Sequence, residues 1–209
     1  MILKSKHNFF IYPFFKWYTR KSIKRHFGII QIMGALNDKK LPVLLISNHL
    51  SWWDGFWADY VNQKLFRRVF HFMMLEEQLR KYWLSNYVGG YSVNKSSRSM
   101  VETLDYTSEL LSNPENLVLI FPQGEIQSMH NQSIEFERGL GRILKNQVNK
   151  IQIVFLVNLV DYFSNQKPGI YFYVQEYMGD AIDLQSIQNS YNKFYSESVD
   201  NQKKRTAEK

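Results

Sequence analysis

Val43-Leu44-Leu45-Ile46-Ser47-Asn48-His49-Leu50-Ser51-Trp52-Trp53-Asp54 is the stretch on which the fold turns. The apolar run at its start reads as a buried strand, and the eight residues after Ile46 as its exit into a loop and a helix. A histidine and a carboxylate a few residues apart at a strand exit are the parts of a general base with an orienting partner. Within one helix, residues five apart are rotated by roughly 140° and do not face each other. The pair therefore works only with His49 in the loop and Asp54 in the first turn of a helix that begins near Trp52. The carboxylate then fixes the imidazole tautomer and stabilises the imidazolium formed on proton uptake. Taken alone, the same letters also fit a helix cap beside a packed histidine.

Outward from this stretch the pattern alternates. Apolar, β-branched runs recur at 29–33, 43–46, 69–73, 117–121, 151–157 and 170–174, with helical stretches at 97–111 and 138–147. Strands alternating with helices predict a single α/β domain around a mixed, mostly parallel sheet flanked by helices. The expected organisation is a basic, aromatic N-terminal segment over 1–27, the α/β domain over 28–185, and a C-terminal surface helix with a polar tail over 186–209.

The chain has 209 residues, a formal charge of +7 and no cysteine. Disulfides, thiol nucleophiles and cysteine-bound metals are thereby excluded. Its basic surface favours anionic partners. No apolar run approaches the roughly 20 residues needed to span a bilayer, and the start lacks the pattern of a secretory signal. Residues 1–27 hold no acidic side chain and interleave Phe9, Phe10, Tyr12, Phe14, Phe15, Trp17 and Tyr18 with seven lysines and arginines. That composition predicts an amphipathic segment lying on an anionic membrane, peripheral or monotopic, with Pro13 kinking or restarting its helix. The alternative is a terminal helix that packs its aromatics on the core.

Two further blocks carry chemistry. Phe121-Pro122-Gln123-Gly124-Glu125 stands at the exit of another strong strand, where open α/β sheets place their binding crevice. Its backbone amides suit an anion or a developing oxyanion, and Phe136-Glu137-Arg138-Gly139 follows at the start of another helix. Gly89-Gly90-Tyr91-Ser92-Val93-Asn94-Lys95, leading into Ser96, Ser97 and Arg98, has the glycines, hydroxyls and cations of a phosphate contact, and equally of a plain N-cap.

In this order and spacing, Asn48-His49 with Asp54, then Gly-Gly-x-x-Val-x-Lys, then Phe-Pro-x-Gly, then Phe-x-x-Gly, the chain resembles the glycerolipid acyltransferase superfamily. These are the relatives of 1-acylglycerol-3-phosphate and lysophospholipid acyltransferases. The resemblance spans roughly residues 40 to 160. It implies transfer of a fatty acyl group from acyl-coenzyme A or acyl carrier protein, as co-substrate, to a lipid hydroxyl. It implies no metal, no other cofactor and no acyl-enzyme. His49 would be the base and Asp54 its partner. Asn48, Ser51, Trp52, Phe121, Pro122, Gln123, Gly124 and Glu125 would line the substrate site, with Lys95 and Arg98 as anion contacts. The implied setting is the cytoplasmic face of a membrane, in phospholipid synthesis.

The departures are specific. Family members that acylate lysophosphatidate read Phe-Pro-Glu-Gly-Thr-Arg; here Gln123 replaces the acid and Ile126 stands where the phosphate-facing arginine falls. Lys95 ends a block that usually ends in arginine, and a lysine holds phosphate as a point charge rather than a bidentate fork. A neutral acceptor, such as a glycosylated isoprenoid or an amino-acid lipid, is therefore a second expectation. A non-catalytic membrane protein keeping the fold is a third. A nucleic-acid module is disfavoured by the absence of zinc spacing and of a basic recognition helix, and a serine hydrolase by the lack of a Gly-x-Ser-x-Gly elbow.

Overall fold

The computed structural model describes residues 2–94, 97–146 and 150–205, without the side chains of residues 97 and 98. Among them run β1 (Ile29–Met33), β2 (Val43–Ser47), β3 (Val69–Leu75), β4 (Gly90–Val93), β5 (Asn116–Ile120), β6 (Gln152–Asp161) and β7 (Gly169–Glu176). They form one sheet in the order β1-β7-β6-β2-β5-β3-β4. Neighbours are parallel except β6 and β7, so the sheet is mixed and mostly parallel. The helices are α1 (Ile11–His26), α2 (Asp54–Leu65), α3 (Glu76–Lys81), α4 (Ser97–Leu110), α5 (Gly139–Lys145) and α6 (Leu184–Lys203).

The uninterrupted apolar runs have a simple cause: both faces of the sheet are covered. Alternate side chains serve opposite layers. Val43 and Leu45 of β2 join Ile23 of α1 and Trp57, Ala58 and Val61 of α2. Leu44 and Ile46 join Leu104 of α4, Leu140 and Ile143 of α5, and Ile187, Tyr191 and Tyr195 of α6. From β2 the chain crosses over β5 to reach β3; from β5 it crosses back over β2 to reach β6. The two crossovers leave β2 and β5 in opposite directions on opposite faces of the sheet, and a switch point of this kind is where open α/β sheets place their binding crevice.

Two expectations need revision. Pro13 is the third residue of α1, within the first turn, where its missing N–H has no intrahelical role, so it opens one continuous helix to His26. The segment 186–209 is more than a surface helix. Its helix begins at Leu184 and buries Ile187, Tyr191, Phe194, Tyr195, Ser198 and Gln202, because its tyrosines and glutamine find hydrogen-bond partners inside: Tyr191 donates to the Leu156 carbonyl at 3.0 Å and Tyr173 to Gln202 at 2.8 Å. In the N-terminal segment Phe9, Phe10, Phe14, Trp17 and Tyr18 are exposed, whereas Tyr12 packs against the core.

Ahead of α1, residues 3–8 run along the β4 edge. Leu3 and Ser92 exchange bonds at 2.8 and 2.9 Å, and His7 bridges Val88. This strap caps an otherwise open edge. Beneath it a chain of groups is closed off: Ser5 Oγ lies 3.0 Å from His71 Nδ1 and 2.9 Å from the Tyr106 hydroxyl, and His7 Nε2 lies 3.0 Å from the Phe70 carbonyl. The His7 and His71 rings meet edge to face at 4.8 Å. Burial drives His71 down to about 4 from 6.5, and His7 beside it acts in the same direction. Burial also lowers His7.

The unfolded chain binds these protons near the ordinary histidine value, and the folded chain resists them. Stability is therefore complete above that value and is lost as pH falls through the window toward 4. The whole His71 shift corresponds to roughly 3 kcal/mol. Between about pH 7 and pH 5 the melting temperature should fall by roughly 5 °C more than in a His71→Phe variant. Equal slopes in thermal scans would contradict the role given to His71.

Candidate active site

Strand β2 ends at Ser47, and Asn48 takes over its pairing with β6. The buried Asn48 side chain donates to the Asn158 carbonyl at 3.0 Å and accepts from the Asn158 N–H at 2.8 Å. Asn158 Nδ2 also donates to Ser47 Oγ at 3.1 Å. With a side chain mimicking the next ladder rung, the backbone can turn away and present His49 above the sheet.

His49 is held on three sides. Its ring stacks on Phe121 at 4.0 Å with an interplanar angle of 8°. Its N–H donates to Gln123 Oε1 at 2.6 Å, and its carbonyl accepts from the Gln127 N–H at 2.9 Å. Its Nδ1 meets Asp54 Oδ2 at 2.7 Å. The same carboxylate oxygen accepts from the N–H groups of Leu50 and Ser51 at 2.6 and 2.9 Å. Asp54 is fully buried and is the first residue of α2, two residues later than the expected start near Trp52. The intervening turn is closed by Trp53 N–H donating to Ser51 Oγ at 3.0 Å. A loop histidine and a first-turn aspartate thus come into contact despite their unfavourable helical spacing. With Asp54 accepting, Nδ1 carries the proton and Nε2 keeps its lone pair.

The second block folds back over this turn. Gly124 adopts a left-handed φ of +69°, and a Cβ there would come within 3.2 Å of Glu137 Cγ. Glu137 N–H donates to the Pro122 carbonyl at 2.8 Å, so the Phe-x-x-Gly block closes on the Phe-Pro-x-Gly block. Gln123 is buried and passes the network on, donating from Nε2 to Gln127 Oε1 at 3.0 Å. Glu125 and Gly124 are exposed, and Trp52 and Ile126 form an open apolar rim at 63% and 56% exposure.

Three residues expected at the substrate surface are buried. Asn48 is fully buried and saturated by Asn158. Pro122 is buried and tied to Glu137. Gln123 spends its amide on the His49 backbone and Gln127. The structure brings together His49, Ser51, Asp54 and Phe121, with Trp52, Gly124 and Glu125 on the open side. Lys95 lies outside the described residues, as does the side chain of Arg98. The glycine pair has a packing cause: a Cβ on Gly89, at φ +105°, would fall 1.9 Å from the Phe70 carbonyl. Sequence reading missed Gln127, Asn158 and Tyr191, whose partners are distant in the chain or carry no recognisable pattern.

Residues 29–157 match the family model described as Acyltransferase. No curated protein matches the chain. Among solved structures, the 1-acyl-sn-glycerophosphate (LPA) acyltransferase PlsC from Thermotoga maritima superposes with a TM-score of 0.60 at 14% identity, over 92% of this chain and 80% of that one. At such identity the likeness shows a shared fold.

Asn48→Ala should lower unfolding stability by roughly 2–4 kcal/mol, since it strands the buried N–H and carbonyl of Asn158. Urea titration tests this. A loss near zero would restore Asn48 to the substrate surface.

Proposed function

Since this chain belongs to the acyltransferase family, we propose that it moves a fatty acyl group from an acyl thioester to a hydroxyl of a lipid acceptor, with His49 as general base and Asp54 as its positioning partner. The observation that carries this reading is the 2.7 Å contact between Nδ1 and Asp54 Oδ2, which leaves Nε2 as the basic atom. Nε2 takes the acceptor's proton as its oxygen attacks the thioester carbonyl. The tetrahedral oxyanion collapses, the C–S bond breaks, and the imidazolium returns the proton to the departing thiolate. A thioester is already activated, so base catalysis and oxyanion stabilisation are sufficient. Acyl-coenzyme A or acyl carrier protein would supply the acyl group.

Ser51, Trp52, Phe121, Gly124 and Glu125 are the proposed substrate-facing residues. Lys95 and Arg98 stay proposed anion contacts on the sequence alone. Residues 1–27 are the proposed membrane-associating segment. The exposed aromatics of α1, interleaved with cations, support a peripheral seat on a membrane, and the cytoplasmic face is the one proposed. No helix among the described residues is long and apolar enough to cross a membrane.

Ile126 favours a second reading of the acceptor. An exposed isoleucine at the position of the family's arginine offers no fork for a dianionic phosphate. The proposed acceptor head is therefore neutral or masked, as in a glycosylated isoprenoid or an amino-acid lipid.

His49→Ala should cut acceptor-dependent thiol release by roughly 10²- to 10⁴-fold in protein that circular dichroism shows to be folded. Turnover at the wild-type rate would remove His49 from the chemistry. In the same assay, Ile126→Arg should shift preference toward lysophosphatidate over neutral acceptors by roughly tenfold or more. Strong preference of the wild-type protein for lysophosphatidate would overturn the neutral-acceptor reading.

A further inference from the structure

A second charged feature lies away from His49. Lys16 and Arg20 of α1 face Asn62, Gln63 and Lys64 of α2 and Arg67 just beyond it, around a hollow of about 410 Å³. From Asp54 to Gln63 is roughly 13 Å of helix, so the hollow is separate from the reacting centre. None of its lining residues is acidic. Among the described residues, none of the four cations makes an ion pair at contact distance. Asp59 lies beneath, accepting from Gln63 Nε2 at 2.8 Å, and Lys16 and Arg20 act on it through space. One buried carboxyl cannot neutralise four cations.

Two details say what the charge is for. Arg67 sits at φ +60°, in the left-handed turn after α2 that favours glycine. An arginine there carries a cost in backbone strain. Two of the lining cations, Lys16 and Arg20, also share α1 with Phe14, Trp17 and Tyr18, whose rings are exposed. A helix seated by that face sets its flanking cations at the depth of lipid headgroups.

We propose that this hollow binds the phosphate group of an anionic membrane lipid, as a headgroup site distinct from the acceptor site. The inference rests on the membrane-surface reading above. Phosphate is the shared chemistry of a lipid headgroup and free phosphate; the neighbouring aromatic face favours the headgroup.

The test is co-sedimentation with vesicles of phosphatidylcholine, with and without phosphatidylglycerol. Arg20→Gln with Arg67→Gln should weaken binding to the anionic vesicles by roughly thirty-fold and leave binding to neutral vesicles unchanged. Lys193→Gln with Lys203→Gln, on α6 across the sheet, removes equal charge and should cost less than about threefold. Equal losses in the two double variants would reduce the effect to net charge and overturn the proposal. No binding of wild-type protein to either vesicle would instead overturn the membrane reading beneath it. Soluble short-chain phosphatidylglycerol should compete with vesicles better than inorganic phosphate at equal concentration and ionic strength; equal competition would overturn the headgroup assignment. His49→Ala should bind as wild type, so a failure of the catalytic proposal leaves this result readable.

Discussion

The contact between His49 Nδ1 and Asp54 Oδ2 is the constraint around which the site is arranged. A buried carboxylate needs several donors to be tolerated. Here two backbone N–H groups and the imidazole converge on one oxygen. This convergence fixes the turn between β2 and α2 and sets the ring's orientation. The position of α2 follows, since its first residue is the acceptor. Phe121 closes the other face of the ring, so the exit of β5 is placed by the same histidine.

The sheet makes this possible. Crossovers leaving β2 and β5 in opposite directions and on opposite faces let these two strand exits meet. Asn48 extends the β2–β6 ladder by side chain, and Gln123 and Gln127 grip both polar groups of the His49 peptide. The amide of Gln123 suits this position chemically. An amide both accepts from His49 N–H and donates to Gln127, whereas a carboxylate only accepts.

Much of this was legible in the chain because burial on both faces writes continuous apolar runs. The strands at 29–33, 43–46 and 117–121 fall within a residue of their observed bounds. The contact between His49 and Asp54 was legible because their separation is short and local. Other residues were not, for reasons of chemistry. Asn48 as a letter suits a substrate contact as well as a buried clamp, and its partner lies 110 residues away. The buried face of α6 is built from Tyr, Ser and Gln, which read as surface until their hydrogen bonds are seen. The role of Gly89 depends on a carbonyl of the neighbouring strand. The short helix α3 and the turn over Trp83–Tyr87 are too brief to leave a periodic signature.

The central claim is that Asp54 holds His49 with its proton on Nδ1 and its lone pair on Nε2. Imidazole ¹⁵N NMR of the histidine-labelled protein, with His49 assigned by substitution, reads this directly. The account predicts a protonated Nδ1 coupled to a strongly downfield proton and an unprotonated Nε2 for the neutral ring, with that preference lost in Asp54→Ala. A neutral His49 protonated on Nε2, or a tautomer unchanged by Asp54→Ala, would contradict it.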